Sequence, residues 1–359
     1  MGIRIFDIAA VDEVARELRI DPHQVRLIRN AFHKRGESFE EAVRLIESDM
    51  KREAFVERVT ASFLTLESSY DSEIDGATKL ILRVNRTGHA IETVVLRNAG
   101  GRVSVCVSSQ VGCAADCAFC ATGKMGLLAN LTRDEILDQV IRTNSFLMGD
   151  AGERRRIRNV VFMGMGEPFH NTEAVCEAVE VLVSPKCFDL ASSRVLVSTV
   201  GITNGMLRFA NRFPEAGLAV SLHSTNQSVR EGLIPIARKY PVGALRECIA
   251  EVERVMARPP MIEWLMLRGV NDSEDDADEL IAYVRGSKAH INLIPYNAID
   301  GEDEFVASEG KVIGRFAERV RGAGFTVTIR RSLGADIAGA CGQLVQKKPP
   351  GGVRYGTMG

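Results

Sequence analysis

Residues 103–120 read VSVCVSSQVGCAADCAFC. The first eight alternate apolar and small polar side chains with the period of two that marks a half-buried strand. The rest is a loop carrying Cys113, Cys117 and Cys120 in the spacing C-x3-C-x2-C, three thiols with no fourth ligand beside them. Structural zinc takes four ligands, usually in two pairs, and no second pair exists: His89, His170 and His223 are scattered singly. Iron–sulfur clusters are usually held by four thiolates, so three on one loop leave one iron open to a small molecule. Reductive cleavage of S-adenosylmethionine (SAM) requires such an open iron.

Downstream the rhythm repeats. A Thr132–Glu135 capping box predicts a helix to about Leu147, followed by NVVFMGMGEP (159–168), a helix near 172–182, RVLVSTVG (194–201) and a helix near 204–213. GLAVSLHS (217–224), a helix near 242–257, MIEWLMLRG (261–269), a helix near 273–284, HINLIPYN (290–297), a helix near 308–323 and FTVTIR (325–330) complete it. Repeated βα units imply a parallel sheet with helices outside it. About six units suit a partial (βα)6 barrel, an α/β fold, better than a closed eightfold one. Ligands in such sheets bind beyond the carboxyl ends of the strands. There the sequence places Gly166-Glu167-Pro168, Ser198-Thr199, Ser221-Leu222-His223 and Pro295-Tyr296-Asn297.

The first ~90 residues read differently, as a small N-terminal helical accessory domain. Val11–Ile20, Pro22–Lys34 and Phe39–Ala61 carry helical apolar spacing, and residues 80–84 and 91–96 suggest a hairpin about Asn85-Arg86-Thr87-Gly88. The expected division is an accessory unit at 1–90, a barrel at 91–345 and a flexible tail at 346–359. With 26% charged and 45% hydrophobic residues the chain has an ordinary globular composition, and a net charge of −2 announces no nucleic acid. Positive charge is clustered, however, at Arg154, Arg155, Arg156 and Arg158, at Arg330 and Arg331, and at Lys347 and Lys348. Eight cysteines in 359 residues are too sparse for a disulfide framework; with no secretory start and no apolar run long enough to span a bilayer, the expected location is the cytoplasm, away from membranes. Cys176, Cys187 and Cys248 read as small buried hydrophobes and Trp264 as core.

CVSSQVGCAADCAFCATG, VFMGMGEP, STVG, SLHS, GVNDS, NLIPYN and ACGQL follow one another from residue 106 to 344. In this order they resemble the radical-SAM methyltransferases of the RlmN/Cfr family, which act on carbon 2 or carbon 8 of adenosine in 23S rRNA. Cys106 and Cys341, outside the cysteine loop, are the more specific part of the match; HKRGESFEEA (33–42) is similar to the family's N-terminal domain. The resemblance implies a radical-SAM barrel, a 4Fe-4S cluster on Cys113, Cys117 and Cys120, and SAM contacts from Gly166, Glu167, Ser198, Ser221, Leu222, His223 and Asn297. It implies that Cys341 is methylated by one SAM, that a second SAM at the cluster supplies a radical taking hydrogen from the thioether methyl, and that the resulting carbon radical adds to the base. Glu92 then matches the proton acceptor, and Cys106 attacks the sulfur of Cys341 to release product through a transient disulfide. The implied partners are RNA (23S rRNA, with tRNA as a second substrate) and an electron donor such as flavodoxin or ferredoxin. Proline after Glu167 points to the carbon-2 type. The chain departs from the family pattern in GEPFHN, in GADIAGACGQL and in the Ala99-Gly100-Gly101 spacing between Glu92 and Cys106. Alternatives are a carbon-8 methyltransferase, a radical-SAM enzyme with another RNA substrate, and a noncatalytic iron–sulfur RNA-binding protein.

Overall fold

The computed structural model describes residues 2–98, 100–149, 156–299 and 304–344; Arg154, Arg155, Lys347, Lys348 and the segment 346–359 lie outside the described residues. One sheet holds ten strands: β1 Leu64–Asp71, β2 Thr78–Val84, β3 Ala90–Arg97, β4 Val103–Cys106, β5 Ile157–Phe162, β6 Val195–Thr199, β7 Gly217–Ser221, β8 Met261–Met266, β9 His290–Pro295 and β10 Thr326–Ile329. Each lies beside its neighbours in the chain, with β1 and β10 at the edges. From β4 to β10 every pairing is parallel. Helices Arg133–Gly149, Thr172–Val183, Thr203–Arg212, Val242–Val255, Glu274–Tyr283 and Gly310–Gly322 make the crossovers. This is the expected partial (βα)6 barrel, widened at the β4 edge by an antiparallel run through β3 and β2 to β1. Residue 90, where the sequence reading divides the chain, is the first residue of β3, and β1 and β2 before it pair into the same sheet.

Strands covered on both faces read as apolar runs. Trp264 on β8 is such a core residue: fully buried, its indole N–H donates to Asn271 O at 3.0 Å, and its ring lies 5.8 Å from Phe316. Cys176, Cys187 and Cys248 are buried as expected.

Two expected elements divide. The strand expected over 103–110 ends at Cys106, because Gln139 turns the chain there: its Oε1 accepts from Ser108 N at 2.8 Å and its Nε2 donates to Ser108 O at 2.8 Å. Gln110–Gly112 then pairs antiparallel with Leu127–Asn130, closing a ribbon around the cysteine loop. The helix expected over 39–61 is also broken. Ser38 and Glu41 cap a short turn, Ile46 is extended, and Ser48 caps a new helix, Asp49–Arg58, before Val59–Thr60 pairs with Ile3–Arg4. Serines that bond backbone N–H groups favour starting a helix over continuing one.

Helix Pro22–Arg29, capped by Asp21, runs on as a π-helical turn, Asn30–Arg35, that docks the N-terminal unit on the barrel. Its His33 ring lies 5.6, 5.2 and 5.3 Å from the rings of Phe6, Phe32 and Phe188, and Lys34 Nζ is 3.1 Å from Asp189. Between barrel and accessory helices, Asp138 Oδ2 accepts from Phe63 N and Leu64 N at 2.8 and 2.7 Å.

Candidate active site

The cysteine loop lies at the carboxyl ends of the parallel strands, where Cys113, Cys117 and Cys120 line one cavity with Phe119, Leu265 and Tyr296. Burial dominates their chemistry: it pushes the Cys113 thiol up to about 12, Cys117 well above the usual range, and Cys120 upward. A coordinated metal reverses that order by deprotonating the thiol outright. Three thiols on one apolar wall therefore fit a thiolate-held inorganic centre. Among the described residues no three His, Cys, Asp or Glu side chains gather as the ligands of a single metal ion.

Opposite the loop lie the strand-end residues picked from sequence. Gly166 has φ +97°, and a Cβ there would stand 2.5 Å from Gln110 Cβ, so the backbone passes where only glycine fits. Glu167 is buried and accepts from Phe169 N at 2.9 Å, Thr199 Oγ1 at 2.8 Å and Val200 N at 2.9 Å. Burial nonetheless raises its carboxyl to about 7 against these bonds, leaving it well suited to a cationic ligand. Ser198 and Ser221 line the same cavity and both donate to Glu263 Oε2, at 2.8 and 3.4 Å. His223 has φ +60° and is pushed down to about 3, chiefly by burial and then by Arg230. It is therefore neutral, and its Nδ1 lies 3.1 Å from both the Leu265 N–H and the Glu263 carbonyl oxygen.

Leu222 and Asn297 are not in the wall. Leu222 acts through its backbone, its carbonyl accepting from Arg230 Nε at 3.1 Å, and Asn297 Nδ2 donates to Cys341 O at 3.2 Å. Cys341 joins the cavity through this bond and through Ala121 N, which donates to Gly342 O at 2.8 Å. The segment after β10 thus sits directly on the cysteine loop.

Cys106, the last residue of β4, shares a second cavity with Cys341. Met163, Arg330 and Cys341 line both cavities and so form the partition between them. Burial first, then the like charge of Cys341, pushes Cys106 up to about 12, while Arg330 opposes the rise. Glu92 lines neither cavity; it lies buried between β2 and β4, its carboxylate 3.3 Å from Lys79 Nζ.

Sequence reasoning missed Glu263, Arg230 and the inward role of Arg330. Glu263 receives both serines and lies 3.7 Å from Arg330 Nη1; its signal was a carboxylate inside the apolar strand MIEWLM. Arg230 is fully buried and ties Leu222 O and Val200 O together, at 3.1 and 2.6 Å, with no mark in its own helix. Arg156 and Arg158 stand at the start of β5, the end of the sheet away from the cysteine loop, because the basic run at 154–158 precedes the strand.

The radical SAM superfamily model matches residues 107–281. The chain is 46% identical over 347 residues to the "Probable RNA methyltransferase" of Rhodopirellula baltica, covering 97% of this chain and 89% of that one. It is 40% identical to the "Dual-specificity RNA methyltransferase RlmN" of Desulfotalea psychrophila, with 75% of each chain covered. A radical SAM methyltransferase from Sphaerobacter thermophilus superposes with a TM-score of 0.86 at 33% identity, over 96% of this chain and 99% of that one. The chain belongs to the RlmN family of radical-SAM RNA methyltransferases. An RlmN-type enzyme uses a 4Fe-4S cluster and SAM, and the buried thiols and the glycine-lined, carboxylate-floored cavity are of the kind both require. Among the described residues no helix is long and apolar enough to cross a membrane.

Proposed function

We propose that the chain methylates carbon 2 of an adenosine in 23S rRNA, with tRNA as a second substrate, and that the methyl group travels on Cys341. The observation that carries this reading is the pair Cys106 and Cys341 in one cavity, next to the three-cysteine cavity. A radical-SAM enzyme without a protein-bound methyl carrier has no use for that pair. The relatives, named as RNA methyltransferases, support RNA as the substrate class.

Carbon 2 of adenine is an electron-poor amidine carbon and does not attack an electrophilic methyl. When bound, the cluster and SAM supply the methyl group and the radical chemistry that such a carbon needs. In this reading Cys113, Cys117 and Cys120 hold the cluster. Gly166 and Glu167 hold the methionine amino end of SAM, and Ser198, Ser221 to His223 and Asn297 position the rest. Cys341 carries the methyl carbon as a thioether and becomes joined through it to the base. Glu92 takes the proton from that base carbon. The adduct's unpaired electron would return to the cluster; Cys106 then attacks the Cys341 sulfur, the sulfur–carbon bond breaks with its electron pair passing to the methylene carbon, which takes up a proton to become the product methyl group, and the disulfide left behind is reduced by an external thiol before the next turnover. Residues 1–90 serve as an accessory unit that contacts RNA, residues 91–345 as the methyltransferase, flavodoxin or ferredoxin as electron donor, and the cytoplasm as the location.

The cysteine variants test the reading. Cys341→Ala abolishes methylation and forms no RNA adduct, whereas Cys106→Ala accumulates protein covalently attached to RNA through Cys341, seen on denaturing gels after anaerobic turnover. Methylation by either variant at the wild-type rate overturns the proposal. Nucleoside mass spectrometry separates carbon 2 from carbon 8, the alternative that proline after Glu167 disfavours.

A further inference from the structure

Lys79 on β2 is 1% exposed, Glu92 on β3 is fully buried, and their charged atoms stand 3.3 Å apart. From the same place Lys79 Nζ donates to the carbonyl of Ala338 at 3.3 Å. Ala338 lies three residues before Cys341 and holds φ +49°, a left-handed conformation that an alanine keeps only when its surroundings impose it. The third side of the ammonium faces the Tyr70 ring, 6.0 Å from its centroid. Lys79 opposes Val94, and Val94 opposes Cys106, so the cation stands in the same cross-strand row as Cys106. Around it the turn before Cys341 is fastened to the β1–β2 connection: Gly334 N donates to Asp75 Oδ2 at 2.7 Å, and Glu73 N donates to Asp336 Oδ2 at 3.1 Å.

We infer that Lys79 is a positioning residue for both partners of product release: it keeps the Glu92 carboxylate charged and aimed, and it seats the turn that presents Cys341. The inference rests on Glu92 as the proton acceptor. A carboxylate buried this deeply without a cation gives up its charge, and a neutral acid accepts no proton. Lysine suits the task because its ammonium has three donors that can serve separate acceptors at once. When the carbon–hydrogen bond of the joined base breaks and an oxygen–hydrogen bond forms on Glu92, the tie from Lys79 to Ala338 still holds the sulfur of Cys341 in place for Cys106.

The test compares Lys79→Met, Glu92→Gln and the double variant as anaerobically reconstituted holoenzymes. Lys79→Met is expected to keep KM for RNA within about twofold while kcat falls ~100-fold, in the range of a lost general base, with protein–RNA adduct accumulating. The double variant is expected to lose less than the product of the two single losses, since the Glu92 function is removed only once and what remains is the loss of the seat for the Cys341 turn. Alkylation of the Cys341 peptide by iodoacetamide, followed by mass spectrometry, is expected to speed up about tenfold in Lys79→Met, as for loss of a charged hydrogen bond, and to stay at the wild-type rate in Glu92→Gln. If Lys79→Met does not fold, the double variant, which buries no unpaired charge, must alkylate about tenfold faster than Glu92→Gln. Wild-type turnover by Lys79→Met, additive losses in the double variant, or unchanged alkylation overturns the inference. Normal methylation by Glu92→Gln overturns the proton-acceptor reading first, and this inference with it.

Discussion

Glu167, the residue proposed to hold the amino end of SAM, shows how the fold can make a charge costly at a single side chain. It accepts three hydrogen bonds from its own chain, yet burial holds its carboxyl at about 7, so a cation arriving beside it restores a charge the fold has made costly. Glu167→Gln keeps the shape and removes the charge. SAM affinity, measured by calorimetry on the reconstituted protein, is expected to fall by about 10- to 100-fold, the effect of one charged hydrogen bond of ~1.5–3 kcal/mol; unchanged affinity removes Glu167 from the SAM site. Residues of this kind were legible because their neighbours in sequence announce them: a Gly-Glu-Pro at a strand end, thiols at fixed spacing. Glu263 was not, because the serine that defines it, Ser198, is 65 residues away in sequence and meets it only across the sheet. Arg230 was hidden for the same reason, its acceptors lying on two other strand ends.

Most strands and helices of the barrel were readable from period alone, since each has one face or both faces buried against a neighbour; strand Leu64–Asp71 and helix Gln227–Leu233 were not expected. The other exceptions, at 107–109 and 43–48, are places where a polar side chain pairs with backbone and ends the element early, which apolar spacing does not record. The π-helical turn Asn30–Arg35 makes an element-scale prediction. Its His33 is buried among three aromatic rings, and its pKa is pushed from 6.5 down to about 3, first by burial and then by Arg29. The folded state therefore stays unprotonated while the unfolded chain takes up a proton below 6.5. The stability contributed by burying neutral His33 is complete above pH 6.5 and is lost progressively as pH falls towards about 3. His223 adds to the acid loss with the same sign. His33→Phe is expected to lower the melting temperature less between pH 7 and 4 than the wild type does; parallel melting curves for the two proteins would show that His33 plays no part in acid sensitivity.

On the scale of the whole molecule the clustered charges part company. Arg331 is exposed and lines the mouth of the cavity shared by Cys106 and Cys341, whereas Arg156 and Arg158 stand at the far end of the sheet. Arg331→Glu is expected to weaken RNA binding and to reduce the slope of log affinity against log salt by about 1, as for one lost phosphate contact. Arg158→Glu is expected to leave binding of a short stem–loop unchanged, and the opposite ranking would put the RNA on the other end of the barrel. The order of the ten strands has a further consequence, in the time of synthesis rather than in space. Because every strand lies beside its chain neighbour, each finds its partner already made as it leaves the ribosome, and the sheet grows in one direction. The last strand and the turn after it bring Arg330 and Cys341. On the proposed reading, an unfinished nascent chain has the three loop thiols but not the methyl-carrying cysteine, so its chemistry would begin only when translation has passed the final strand.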